Sequence, residues 1–236
     1  MNQDFSLQIQ LQILHQENLK FKDEKIGIVY PVYAGEAPKI VLEFLEKATF
    51  ETDYFYLILT YGKDVTDAPE CIARLLEEKG RHVNYIHSIL MVDNYLPSFD
   101  MNEQRAMNKN VEQQIQQALQ DIQNKKEELL LQELFKLENF NNVLQNCNTK
   151  NIKSAYEIPE ATQAGRDFHA SAKEIFAKNP ELINGEQITV TDKCVGCGIC
   201  TKVCPRGLFY IEDKKAKRKQ NTCEFCLACA QNCPSK

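Results

Sequence analysis

Eight of the ten cysteines lie near the C-terminus in two copies of C-x2-C-x2-C-x3-C-P. The first copy is Cys194, Cys197, Cys200 and Cys204 before Pro205; the second is Cys223, Cys226, Cys229 and Cys233 before Pro234. Each cysteine of the second run stands 29 residues beyond its counterpart, so the pair is an internal repeat. Thiolates at this spacing hold [4Fe–4S] clusters, three from one run and the fourth from the other. The expected ligand sets are therefore Cys194, Cys197 and Cys200 with Cys233, and Cys223, Cys226 and Cys229 with Cys204. Two close cofactors that each accept one electron imply electron transfer. Zinc competes for an all-cysteine site, but structural zinc usually pairs two short knuckles across a longer gap. Three cysteines in successive steps closed by Cys-Pro favour iron–sulfur.

The residues between the cysteines suit that chemistry. Gly196 and Gly198 permit tight turns that aim amide N–H groups at sulfur. Pro205 and Pro234 end the short helical turn that carries each crossing cysteine. Ile188, Val195, Ile199, Leu208, Phe209, Ile211, Phe225 and Leu227 supply an apolar shell that limits water and helps set the potential.

At 236 residues the chain can hold two domains, a larger one followed by a small cysteine-rich one. Eight thiols committed to oxygen-sensitive chemistry imply a reducing, cytoplasmic setting. The start, Met1-Asn2-Gln3-Asp4, has neither a basic region nor an apolar run, so no signal peptide or membrane span is expected. The net charge of −5 gives no support to nucleic-acid binding. That charge is unevenly divided: residues 187–236 carry +5, which leaves −10 for the rest. Lys214, Lys215, Lys217, Arg218 and Lys219 crowd one loop between the cysteine runs. A solvated hairpin tip is the plain interpretation, and docking of an acidic redox partner is the functional one.

Alternating elements fill residues 1–100. Leu7, Ile9, Leu11 and Ile13 keep a period of two, which predicts a half-buried strand. Ile26–Tyr30 and Tyr54–Thr60 read as buried parallel strands, and Arg81–Met91 as a third. Glu36–Lys47 and Ala68–Lys79 read as helices, the second with Pro69 in its first turn and Gly80 past its end. This order predicts a parallel sheet covered by helices. Met107, Val111, Ile115, Leu119 and Ile122 recur at helical spacing, predicting one long helix from Met101 to about Asn146 with a bend near Lys126. Residues 101–186 thus comprise that helix and a connector containing a further helix over Gln163–Lys178. The small cysteine domain occupies 187–236. Cys71 and Cys147 read as inert small residues, and His15, His82, His87 and His169 share no motif.

Several of these segments together resemble the EFR-type ferredoxin family, in which a flavodoxin-like domain precedes a two-cluster ferredoxin domain. They are Ile26-Gly27-Ile28-Val29-Tyr30-Pro31-Val32-Tyr33, Pro38-Lys39-Ile40-Val41, Thr60-Tyr61-Gly62, Asp93-Asn94-Tyr95 and the cysteine runs. The resemblance implies an α/β flavodoxin-like doubly wound parallel sheet followed by a small α+β ferredoxin domain. It also places Tyr30, Pro31, Tyr33, Thr60, Tyr61 and Gly62 beside an FMN ring. The chain departs from the family at its beginning. No Ser/Thr-Gly phosphate loop occurs, and 25 residues before Ile26 leave no room for strand 1, that loop and helix 1. A shortened family member with an incomplete sheet, its first strand missing, is therefore expected, with weak FMN binding or none. Three functions compete: electron carrier or electron-transfer module, iron–sulfur flavoprotein reductase, and interaction subunit of a larger reductase.

Overall fold

The computed structural model describes residues 19–95, 98–126, 163–219 and 223–235. The strand expected over residues 7–13, and the helix beyond residue 126, lie outside them. The described chain separates into two compact units. One includes Lys39–Thr49 and Asn179–Lys236; the other comprises Phe21–Pro38 and Phe50–Lys178.

The second unit is built on a parallel sheet of β2 (Lys25–Pro31), β4 (Tyr54–Tyr61) and β5 (Tyr85–Leu90), in the order β2-β4-β5. A short pair, β1 (Lys20–Lys22) and β3 (Thr49–Glu51), forms a separate two-stranded sheet. All three sheet strands agree with the apolar runs in the sequence. Helix α2 (Ala68–Glu78) is the crossover from β4 to β5 and buries Ile72, Ala73 and Leu76. Gly80 ends it at φ 70°, a conformation that glycine adopts without penalty. Helix α1 (Lys39–Lys47) begins three residues later than the sequence suggests, after Pro38, and belongs to the first unit.

The long helix expected from Met101 is interrupted. Helix α3 (Met101–Ala106) stops at Met107, and α4 (Val111–Gln123) begins after Asn110 in the left-handed conformation. Polar side chains around this break serve the sheet. Lys109 Nζ donates to the carbonyls of Gly62 (2.7 Å) and Met91 (2.8 Å) and to Gln104 Oε1 (3.0 Å). Leu90 N–H donates to Gln114 Oε1 at 2.8 Å. A continuous helix could not bring these groups to the ends of β4 and β5. Ala118 and Ile122 of α4 cover a sheet face formed by Tyr54, Ile58, Tyr85 and Ile89.

Helix α5 (Gln163–Lys178) occupies the expected range. In the first unit a 3-10 turn (Pro180–Leu182) precedes the cysteine region. That region contains α6 (Ile199–Val203), the antiparallel pair β6 (Phe209–Glu212) and β7 (Lys215–Arg218), and α7 (Ala228–Gln231).

Candidate functional site

The sequence repeat is also a repeat of backbone conformation. Gly196 and Gly198 adopt φ of 68° and 76°; Phe225 and Leu227, each 29 residues on, adopt 50° and 58°. Each second residue of these pairs immediately precedes a short helix, α6 or α7. Left-handed conformations cost a residue with a side chain roughly 1–2 kcal/mol, so the second run holds strain that glycine spares the first. Backbone N–H groups, one of them from these turns, point at sulfur. Phe225 N–H donates to Cys223 Sγ at 3.3 Å, Ala216 N–H to Cys194 Sγ at 3.4 Å, and Leu208 N–H to Cys204 Sγ at 3.4 Å. Helices α6 and α7 pack against each other, so the two runs meet.

Cys204 departs from its own run. A cavity is lined by Cys204, Cys223, Cys226 and Cys229, with Pro205, Phe209 and Leu227 around them. Burial raises the thiol pKa of Cys223 and Cys226 and pushes that of Cys229 up to about 11. The sulfur of Cys204 adds to the upward push on all three. In the first run burial raises Cys200, and neighbouring Cys194 and Cys197 act in the same sense. Cys194 itself is lowered by the N–H groups of Ala216 and Gly196. Leu208, Phe209 and Ala216 form the small apolar core against which Cys194, Cys200, Cys204, Cys223 and Cys229 pack. The first run is the more open one: Cys197 is exposed, and so is Val195.

These sulfurs fit a multi-iron group better than a single ion. One tetrahedral zinc needs sulfurs about 3.8 Å apart, from Zn–S bonds of about 2.3 Å. Among the described residues, the set of three or more Cys, His, Asp or Glu donors within 4.8 Å of one another lies elsewhere, at Asp67, Cys71 and His169.

Arg206 braces the second run. Its guanidinium donates to both oxygens of Glu43 on α1 (2.6 and 2.9 Å) and to Glu224 Oε1 (2.6 Å). Glu224, next to Cys223, also accepts the Ile40 N–H at 3.0 Å. The basic loop forms the turn and second strand of the β6–β7 hairpin. Lys215 pairs with Asp192 (2.8 Å), Lys217 with Glu212, and Arg218 with the Gly185 carbonyl.

The residues expected beside FMN share the carboxyl edge of the parallel sheet. Pro31 is in register with Thr60, and Val32 N–H donates to the Thr60 carbonyl at 2.8 Å. Tyr61 ends β4, and the Gly62 that follows has Asp93 so near that a Cβ there would lie 2.5 Å from it. Tyr33 closes a turn with Glu36 through reciprocal backbone bonds of 2.9 and 3.0 Å. Tyr30 is buried, and its hydroxyl finds no partner among the described residues.

Sequence reasoning missed a second constellation at this edge. His169 of α5 is buried, with Nδ1 bonded to the Asp67 carboxylate. Its pKa is raised to about 9 by Asp67 and then Glu36, and Glu36 is lowered to about 2, chiefly by His169. Lys173 also pairs with Glu36, at 2.5 Å. Burial pushes Cys71, one turn beyond Asp67, up to about 12. The one available signal was the i, i+4 spacing of Asp67, just before the predicted helix, and Cys71 within it; His169 stands 102 residues from Asp67.

A short all-cysteine unit with paired runs defines a ferredoxin-type iron–sulfur domain, and the comparisons with known proteins agree. The 4Fe-4S dicluster domain family matches residues 193–236. A ferredoxin of Methanothermococcus thermolithotrophicus is 40% identical over 47 residues, covering 19% of this chain and 78% of the relative. An uncharacterized ferredoxin of Methanocaldococcus jannaschii is 39% identical over 54 residues, covering 21% of this chain and 70% of the relative. The chain belongs to the ferredoxin family through this region. No solved structure matches it significantly.

Proposed function

We propose that this protein transfers electrons through two [4Fe–4S] clusters with crossed ligation, serving redox protein partners as a carrier or module. The observation that carries this reading is the placement of Cys204 in one cavity with Cys223, Cys226 and Cys229. Each cluster, when bound, supplies a one-electron redox couple. The protein holds these groups, shields them, and directs N–H dipoles at their ligands. Cys194, Cys197, Cys200 and Cys233 make the first ligand set, and Cys204, Cys223, Cys226 and Cys229 the second. Exposure of Cys197 and Val195 makes the first run the side on which a partner docks. Among the described residues no helix is long and apolar enough to cross a membrane.

An FMN-dependent reductase is the lesser reading. Tyr30 is turned inward, so it offers no face to a flavin ring. Flavin fluorescence quenched by the protein with a submicromolar Kd would restore that reading.

Paired substitutions test the crossing. Cys204→Ala/Cys226→Ala should remove two ligands of one cluster, keeping about four of eight irons per chain after anaerobic reconstitution. Cys204→Ala/Cys197→Ala should damage both clusters and leave neither EPR signal of the reduced protein intact. Zinc in place of iron, or equal iron loss in the two variants, would overturn the proposal.

A further inference from the structure

Asp67, Cys71 and His169 have no part in the electron-transfer reading, yet they place a carboxylate oxygen, a thiol and an imidazole nitrogen within 4.8 Å of one another. We propose that they bind one zinc-type divalent cation, distinct from the iron of the cysteine runs.

The placement follows from the fold. Asp67 caps α2, and Cys71 lies one turn on, so the i, i+4 spacing sets both on one face of the helix. Helix α5 supplies His169. Asp67 and His169 are 6% and 4% exposed. At that depth polar groups ordinarily find hydrogen bonds. His169 Nδ1 has one to Asp67, but Nε2 has none among the described residues. Nε2 lies 3.5 Å from Glu36 Oε1, inside ion-pair range but without hydrogen-bond geometry. Two ligands on a tetrahedral zinc with bonds of about 2.0–2.1 Å stand roughly 3.3–3.4 Å apart. A cation taking the place of the proton between Nδ1 and Asp67 would therefore widen that contact and leave Nε2–H facing Glu36, the carboxylate partner a metal-bound histidine usually has.

Thr66 makes a second orphan. Its hydroxyl is buried and unpartnered. Gly35, at φ 86°, makes room for both groups: a Cβ there would lie 2.7 Å from the His169 ring and 2.8 Å from Thr66 Oγ1.

The donor set selects the ion. Binding would displace the protons of Cys71 and His169 to solvent, and the resulting thiolate with imidazole and carboxylate suits zinc or a similar transition metal, whereas magnesium and calcium prefer oxygen alone. Three protein donors leave one position of a tetrahedron for water.

The test uses the full chain with its clusters assembled, incubated anaerobically with zinc chloride and desalted. About one zinc per chain should remain beside the iron. Its X-ray absorption fine structure should fit one sulfur at about 2.3 Å, with nitrogen and oxygen at about 2.0–2.1 Å. Cys71→Ser should lose the sulfur scatterer, and His169→Gln should lose the zinc, with iron content unchanged in both. If His169→Gln fails to fold, the Cys71→Ser spectrum decides alone. The proposal is overturned by no retained zinc, by a four-sulfur shell that places zinc in the cysteine runs, or by a sulfur scatterer that survives Cys71→Ser.

Discussion

In the sheet unit Tyr54, Leu57, Leu59, Leu76, Tyr85 and Ile86 are buried to 1% exposure or less, whereas among the described residues from Asn179 onward the buried apolar ones are Leu208, Phe209, Ala216 and Leu227, each at 6–8%. Among the described residues the sheet unit has helices of 6, 11, 13 and 16 residues; the cysteine region has helices of five and four. A chain segment that buries so little cannot offset the conformational entropy of ordering it. Its cysteines instead crowd at one place, with several thiols pushed upward by burial and mutual repulsion. Metal binding would relieve that repulsion, so cofactor assembly and folding are expected to be coupled in this region. The sheet unit rests chiefly on apolar burial. The difference teaches where each region should fail.

The largest expected effect is removal of iron. Stripping the clusters with a chelator under reducing, anaerobic conditions should collapse amide protection across residues 185–235, by on the order of a hundredfold or more. Protection of β4 and β5 should stay near its starting level. Parallel loss in both regions would break the comparison and make the sheet dependent on the clusters.

The converse change is Leu57→Ala. Leu57 is wholly buried in the central strand, and truncation leaves a cavity that costs about 2–5 kcal/mol. Urea unfolding of the sheet unit should shift by that amount while the iron content per chain stays constant. Iron loss in the variant would show that the two regions do not fail separately.

The same contrast explains what could be read from the sequence. Ligand spacing is local, so the eight cysteines, the turns at Gly196 and Gly198 and the helices that follow them were all legible. The sheet strands were legible because Ile26–Tyr30 and Tyr54–Thr60 are uninterrupted apolar runs. Two features were not. The left-handed turns at Phe225 and Leu227 carry no glycine to announce them, and only the 29-residue repeat hints at them. The break between α3 and α4 was also invisible, because Met107 and Val111 continue the helical period across it. What ends α3 is the demand of distant carbonyls for donors, met by Lys109, and periodicity does not encode distant acceptors. The Asp67–Cys71–His169 cluster was lost for the same reason, since its third member comes from far along the chain.

Lys109→Met measures that non-local demand. The variant keeps the length and apolar stem of the side chain but removes the charge-assisted bonds to Gly62, Met91 and Gln104. Hydrogen bonds to charged groups contribute roughly 1.5–3 kcal/mol each and do not add simply. A loss of about 2–3 kcal/mol from the sheet unit is expected, with faster amide exchange at Met91 and in the Gly62 loop. A change below about 0.5 kcal/mol, the ordinary size for a surface site, would mean that the helix break has another cause.

The smallest effect is a pH dependence confined to the sheet. His87 of β5 stacks on Tyr85 with ring centroids 6.0 Å apart, and its Nε2 is buried without a partner among the described residues. Burial, helped by Lys126 and opposed by Asp121, lowers its pKa from the ordinary 6.5. Above 6.5 the imidazole is neutral in both folded and unfolded chains, and its contribution is fully present. As pH falls from there through the depressed native value, the unfolded chain takes up a proton that the native sheet resists. Stability then drops by at most about 1.4 kcal/mol per pH unit, and the slope ends once the native His87 is protonated. His87→Leu removes this loss. Urea midpoints of the sheet unit, followed through the near-ultraviolet dichroism of its buried tyrosines, should be compared at about pH 7.5 and about pH 5.5. The wild type should lose more stability than the variant on acidification, and comparing the two cancels acid damage to the cysteine region. An identical loss in both would assign the acid sensitivity to other groups and leave His87 a packed neutral ring at either pH.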